Sequence, residues 1–205
     1  MGSGKKQLVG TTNSRSGNCG FTSVLHVMYS HRLLSRTPEE LQEDDVVYSI
    51  MRRYLKALPQ ETIQKIENFT RTFGANWANF SVSSFIYSND SSLLSGGNIN
   101  DLSIALPPEV VIDFLEYSSN KKISGEILQY SNASDPFASL QGEYIIGVGR
   151  KENDILELKH YMYFKNGKFY SWGQKFATKA DFQNAHFYSN GNRYVGYTHF
   201  IRIKG

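Results

Sequence analysis

Near Gly125 the spacing of apolar residues changes, and this change constrains the fold more than any other feature of the chain. Upstream of it, apolar residues recur three and four apart in four stretches: Phe21, Val24, Leu25 and Met28; Leu41, Val47, Ile50, Met51, Tyr54 and Leu55; Ile63, Ile66, Phe69 and Phe73; Val110, Val111, Phe114 and Leu115. That is the period of helices with one buried face. The punctuation agrees. Thr37-Pro38-Glu39-Glu40 offers a capping residue, a proline at the first helical position and a glutamate to close the box. Pro59 separates the second stretch from the third, Gly74 ends the third, and Pro107-Pro108-Glu109 opens the fourth. Between them, 76–92 fits either a helix or a loop-rich packing segment, and the polar, glycine-containing 91–100 reads as a surface loop.

Downstream of Gly125 the chain is rich in Ile, Tyr, Phe and Val, punctuated by Gly and Asn. Glu126 to Tyr130, Glu143 to Val148, Ile155 to Phe164, Lys168 to Trp172 and Arg193 to Ile203 read as strands. A short helix is predicted over Thr178 to Ala185. Lys165-Asn166-Gly167-Lys168 is the clearest hairpin turn, because Asn-Gly supplies the positive φ values of a tight connection. Helices followed by antiparallel strands mean an α+β fold. The 205 residues are read as one domain, mainly helical over 1–124 and mainly sheet over 125–205. A hydrophobic content of 40%, with 13 Phe and 13 Tyr, can fill its core without disulfide staples.

Composition also excludes function classes. A net charge of +3, with basic residues no more clustered than pairs such as Lys5-Lys6 and Arg52-Arg53, makes no nucleic-acid stripe. No apolar run reaches the length of a membrane span. The N-terminus has charge but no apolar core, so no signal peptide is read there. A single cysteine excludes an internal disulfide and suits cytosolic work. With five dispersed histidines and no pair at ligand spacing, no metal and no organic cofactor is expected.

That cysteine lies in Ser16-Gly17-Asn18-Cys19-Gly20-Phe21-Thr22-Ser23, bracketed by glycines at the start of the first helical pattern. Orphan N–H groups and the dipole at a helix start stabilise a thiolate, the form that attacks carbonyl carbon. The bland alternative is a small buried apolar residue. Asn-Cys-Gly followed by a helix rich in small and apolar residues resembles the nucleophile segment of papain-like cysteine hydrolases. The resemblance implies Cys19 as nucleophile, with its own N–H in the oxyanion hole. It also implies an amide donor about six residues ahead, the place taken here by Asn13.

The resemblance further implies a histidine at the start of a later sheet strand. His26, His31 and His186 read as structural or exposed, and His199 as a core histidine alternating with Val195, Tyr197, Ile201 and Ile203. His160, heading the Asn-Gly hairpin, is therefore the expected base. If Asn166 and Gly167 form the loop, His160 stands opposite Gly173, and one residue of slack brings Gln174 beside the imidazole. Gln174 is the expected third member, with Ser171 and Asp181 behind it. Papain-like enzymes mostly use Asp or Asn there, and this chain departs from that pattern.

The implied activity is hydrolysis of an amide, either a peptide bond or a glutamine side chain, in a protein or peptide substrate. The type resembled is a bacterial toxin or effector domain, with an immunity or inhibitor protein as a further partner, delivered by a non-classical route or cytosolic otherwise. Two alternatives stand beside it: a non-catalytic interaction module with a structural cysteine, and an acyltransferase or transglutaminase using the same Cys–His pair.

Overall fold

The computed structural model describes residues 18–36, 44–72, 82–87, 104–129, 137, 140–171, 174–187 and 194–205. Six helices are described, α1 (Cys19–Ser30), α2 (Asp44–Lys56), α3 (Gln60–Thr72), α4 (Val82–Tyr87), α5 (Pro108–Ser118) and α6 (Lys179–His186). The strands are β1 (Ser124–Gln129), β2 (Glu143–Glu152), β3 (Ile155–Lys165), β4 (Lys168–Ser171), β5 (Gln174–Phe176) and β6 (Gly196–Lys204). They form one antiparallel sheet in the order β1-β6-β2-β3-β4-β5. The fold is α+β, with five helices preceding the first strand. The short β5 was not anticipated, and the 82–87 part of the ambiguous segment is helical. The Thr37–Glu40 start signal, Phe73, Gly74 and the polar loop at 91–100 lie outside the described residues.

Side-chain direction divides the sheet into two buried faces. One carries Ile145, Tyr161, Tyr163 and Ile201 and packs against α1, α2, α3, α4 and α5. The other carries Ile146, Val148, Met162, Phe164, Phe169 and Phe200 and packs against Phe182 of α6 and Tyr194. Helix α1 is buried continuously from Cys19 to Met28. A helix apolar on one stripe would show a wet face; this one has none in that stretch, because the sheet lies on one side and α5 on another. Phe21 of α1 meets Phe114 of α5 edge-on, ring centroids 5.0 Å apart. Phe114 is also 4.8 Å from the ring of Tyr54 of α2.

Both ends of α1 are tied to β2 or β3. At its C-terminal end Ser30 Oγ donates to Glu143 Oε1 at 3.1 Å and His31 Nε2 lies 2.7 Å from Oε2. Tyr163 and Lys165 of β3 converge on the same carboxylate. Burial works against that charge, but the Tyr163 hydroxyl and His31 win and hold the Glu143 carboxyl below its ordinary value. Helix α6 is capped by Thr178, whose Oγ1 accepts from the Asp181 N–H at 3.1 Å.

The Asn-Gly hairpin has the predicted register, with Lys165 opposite Lys168, Phe164 opposite Phe169 and Tyr163 opposite Tyr170. Asn166 and Gly167 have φ of 48° and 79°, the left-handed values a two-residue primed turn requires.

Phe114 joins α5, α1 and α2, and it is fully buried. Its replacement by Ala is expected to cost about 3–5 kcal/mol, the usual range for a buried ring, without changing the fold. Chemical denaturation of Phe114→Ala checks this; a loss below about 1 kcal/mol would mean that the helical layer is not packed through this ring.

Candidate functional site around Cys19

Cys19 is the first residue of α1, preceded by the N-cap Asn18. The Asn18 side chain makes no capping bond; the first helical bond runs from the Thr22 N–H to the Asn18 carbonyl at 3.0 Å. The sulfur lies against β3, where the Tyr161 N–H donates to Cys19 Sγ at 3.3 Å. That amide is available because β4 pairs with β3 only from Tyr163 to Lys165. The backbone N–H groups of Gly20 and Cys19 also favour a negative sulfur, as a helix start should. Burial nevertheless outweighs all three and pushes the thiol up to about 11. At neutral pH the resting residue is therefore a protonated thiol, 7% exposed. The sequence expectation of an accessible, acidic thiol is corrected on both counts.

Among the described residues no hydrogen bond joins His160 to Cys19. On β3, Tyr161 and Tyr163 belong to the α1 face and Met162 and Phe164 to the other, so His160, in phase with Met162, points to the second. There its Nε2 lies 2.8 Å from Ser171 Oγ, and its ring stacks at 6.0 Å from that of Tyr194. Nor does His160 stand at a strand end, since β3 begins five residues earlier. Gln174 is exposed on β5, opposite Ser171, and among the described residues no hydrogen bond joins it to His160. The hydroxyl of Ser171, which is fully buried, occupies the place expected for Gln174. Asn13 lies outside the described residues, and so does Gly173.

The histidine on the α1 face is His199. It pairs with Gly147 on β2, which pairs on its other side with Tyr161 of β3, so the three residues form one row across the sheet. The imidazole lies over Gly147: a Cβ there would sit 2.5 Å from its Cε1 and 2.8 Å from its Nδ1. A glycine is therefore required for the ring to lie down over this strand. Its edge meets the Tyr161 ring, centroids 5.5 Å apart. Tyr161 thus touches Cys19 through its amide and His199 through its ring, and its hydroxyl donates to the Leu106 carbonyl at 2.8 Å. Leu106 packs in turn on Gly20, and three residues further on Glu109 lies in the first turn of α5.

The electrostatics of this cluster favour neutral side chains. Burial pulls His199 down to about 4, against the opposing pull of Glu109. Partial burial of Glu109 is overcome by the Lys65 ammonium, which holds that carboxyl below its ordinary value. His199 Nδ1 lies 2.9 Å from Thr198 Oγ1, whereas its Nε2 is buried without a partner among the described residues. Both polar ends of the Asn18 carboxamide are in the same condition. Ser23 Oγ and His26 Nδ1, further along α1, are also unpartnered. Among the described residues no three His, Cys, Asp or Glu side chains are grouped to hold a metal, and no helix is long and apolar enough to cross a membrane.

Residue-level reading missed His199, Thr198, Tyr161 and Asn18 as members of this neighbourhood. One signal was present. Gly147 and Gly149 interrupt a run of Ile and Val in a predicted strand, and glycine inside a strand marks a bulge or a close approach. Compared with protein-family models, curated proteins and solved structures, the chain has no match.

Three buried histidines make a pH prediction. Burial lowers His26 to about 4, His160 to about 3 and His199 to about 4, from an ordinary 6.5. The unfolded chain binds protons first as pH falls, so their contribution is complete above 6.5 and is lost on descending towards 4 and 3. Each contributes ~1.4 kcal/mol per pH unit inside its window, for a combined slope of up to ~4 kcal/mol per unit. Denaturant melts between pH 7 and pH 4 check this, and a flat stability curve there would contradict it.

Proposed function

We propose that the chain is a cysteine hydrolase acting on an amide of a protein or peptide, with Cys19 as nucleophile and His199 as its base. The observation that carries this reading is a set of buried polar atoms that have no partner among the described residues. His199 Nε2 is one, and the two ends of the Asn18 carboxamide next to Cys19 are two more, beside Ser23 Oγ and His26 Nδ1 of α1. Leaving such an atom unpaired costs ~1–3 kcal/mol each, which a purely structural site has no reason to bear.

The chemistry starts from a neutral pair. As Cys19 Sγ attacks the carbonyl carbon, its proton passes to His199 Nε2, and the negative charge moves to the carbonyl oxygen. The Cys19 N–H and the Asn18 carboxamide are the donors nearest that oxyanion, the latter in the role the family resemblance assigns to Asn13. The imidazolium then protonates the departing amine, leaving a thioester. Water attacks the thioester while His199 accepts its proton, and that proton returns to sulfur as the acid product leaves. With glutamine as substrate the amine is ammonia. Because the sulfur is buried, substrate has to displace what covers it before reaction.

A second reading, an interaction module with a structural cysteine, draws support from the same burial and the raised thiol. The two separate by mutation. Cys19→Ala and His199→Asn are expected to reduce turnover about a hundred- to ten-thousandfold, with folded variants, whereas His160→Asn acts on stability alone. Ammonia release and peptide cleavage over a glutamine-containing peptide library are the readouts, and they also distinguish deamidation from proteolysis. Full activity in Cys19→Ala would end the hydrolase reading. An active His199→Asn beside a folded, inactive His160→Asn would restore His160 as the base.

A further inference from the structure

We infer that Thr198 is the positioning residue of the site, its hydroxyl accepting from His199 Nδ1–H and so presenting Nε2 as a free lone pair. This rests on the reading of His199 as the base of Cys19. The evidence is a β-bulge. Between β6 and β2, Phe200 faces Ile146 and His199 faces Gly147, but the next pair is Tyr197 with Val148, so Thr198 has no opposite residue. In an unbroken strand Thr198 and His199 would point to opposite faces. The bulge turns both towards Gly147, where the hydroxyl and the imidazole share the space a side chain would fill. The Oγ1 to Nδ1 separation is 2.9 Å.

This arrangement supplies what the sequence search sought in Gln174. A histidine base needs its remote nitrogen held by a hydrogen bond, since that bond selects both the tautomer and the ring orientation. A neutral hydroxyl suits this site. The resting thiol and imidazole are uncharged, and a buried carboxylate at Nδ1 would itself need a counter-charge. The charged and titratable groups facing the ring from other elements are Glu109 of α5, itself paired with Lys65 of α3, and Tyr161 of β3, whose amide holds the Cys19 sulfur. The hydroxyl could bond to Nδ1 in either sense. Only donation from Nδ1–H leaves Nε2 able to take a proton from sulfur.

The test is 15N NMR of the His199 imidazole in the intact chain, together with the rate of Cys19 alkylation by iodoacetamide at neutral pH. The wild type and Thr198→Ser should carry the proton on Nδ1. Thr198→Val, which keeps the shape and removes the hydroxyl, should lose that preference and slow alkylation about ten- to a hundredfold. Thr198→Ala serves if the valine variant does not fold. A wild-type proton on Nε2, an unchanged tautomer without the hydroxyl, or an unchanged alkylation rate would each overturn the inference. Failure of the hydrolase reading shows differently, as the expected tautomers and alkylation rates in a chain that hydrolyses no member of the peptide library.

Discussion

The structure depends on the burial of α1 against the sheet. Ten consecutive residues, Cys19 to Met28, are removed from water, and they include Thr22, Ser23 and His26 as well as the apolar stripe. A helix surrounded in this way must satisfy or tolerate every polar group it carries. Thr22 returns its hydroxyl to the carbonyls of Asn18 and Cys19 at 3.3 Å. His26 lies flat on Tyr163, ring centroids 4.3 Å apart, which covers its faces but leaves Nδ1 unpaired. At the C-terminal end the charges of Glu143 and Lys165 are drawn into one network with Ser30 and His31. Among the described residues the N-terminal end has no such network. There the sulfur takes the Tyr161 amide and the neighbouring Asn18 amide is left over.

Two bulges in the strands flanking β2 decide what faces that end. One leaves Thr198 unpaired on β6; the other shifts the pairing with β3 between Val148 and Gly149, where Val148 faces His160 and Gly149 faces Leu158. Gly149 is close-packed for the same reason as Gly147, since a Cβ on it would meet the Thr198 Cγ2 at 2.9 Å. Glycines in the central strand thus permit extra residues in both neighbours. Each bulge changes which face the following side chains occupy. The two sheet faces consequently hold different histidines: His199 with Tyr161, and His160 with Ser171 and Tyr194. Both rings are buried and both are held neutral by that burial, so charge state does not tell them apart. Geometry does, because among the described residues His160 has a partner at Nε2 and His199 has none there.

Much of the fold was legible from local pattern. The helical stripes of α1, α2, α3 and α5, the strands from residue 124 onwards, and the Asn166-Gly167 register follow from periods and turn chemistry that act over a few residues. Cys19 at the first turn of its helix was legible for the same reason. The base was not. Strict alternation puts His199 on one face with Tyr197, yet Tyr197 packs with Phe200 on the far side of the sheet and His199 meets Tyr161 on the near side. The bulge at Thr198 reverses the parity, and no residue in the run Gly196-Tyr197-Thr198-His199 announces it.

The sequence by itself determined the α+β class, the order of helices before strands, and a lone cysteine at a helix start, because each depends on neighbours within a turn or a hairpin. Tertiary structure alone decided which histidine lies beside Tyr161, whose amide holds that sulfur, and whether the thiol is exposed. Those outcomes depend on where α1 lands on the sheet and on strand registers set between residues far apart in the chain, such as Gly147 with His199. A shift of one residue in such a register exchanges the faces, and no local pattern along one strand carries that information.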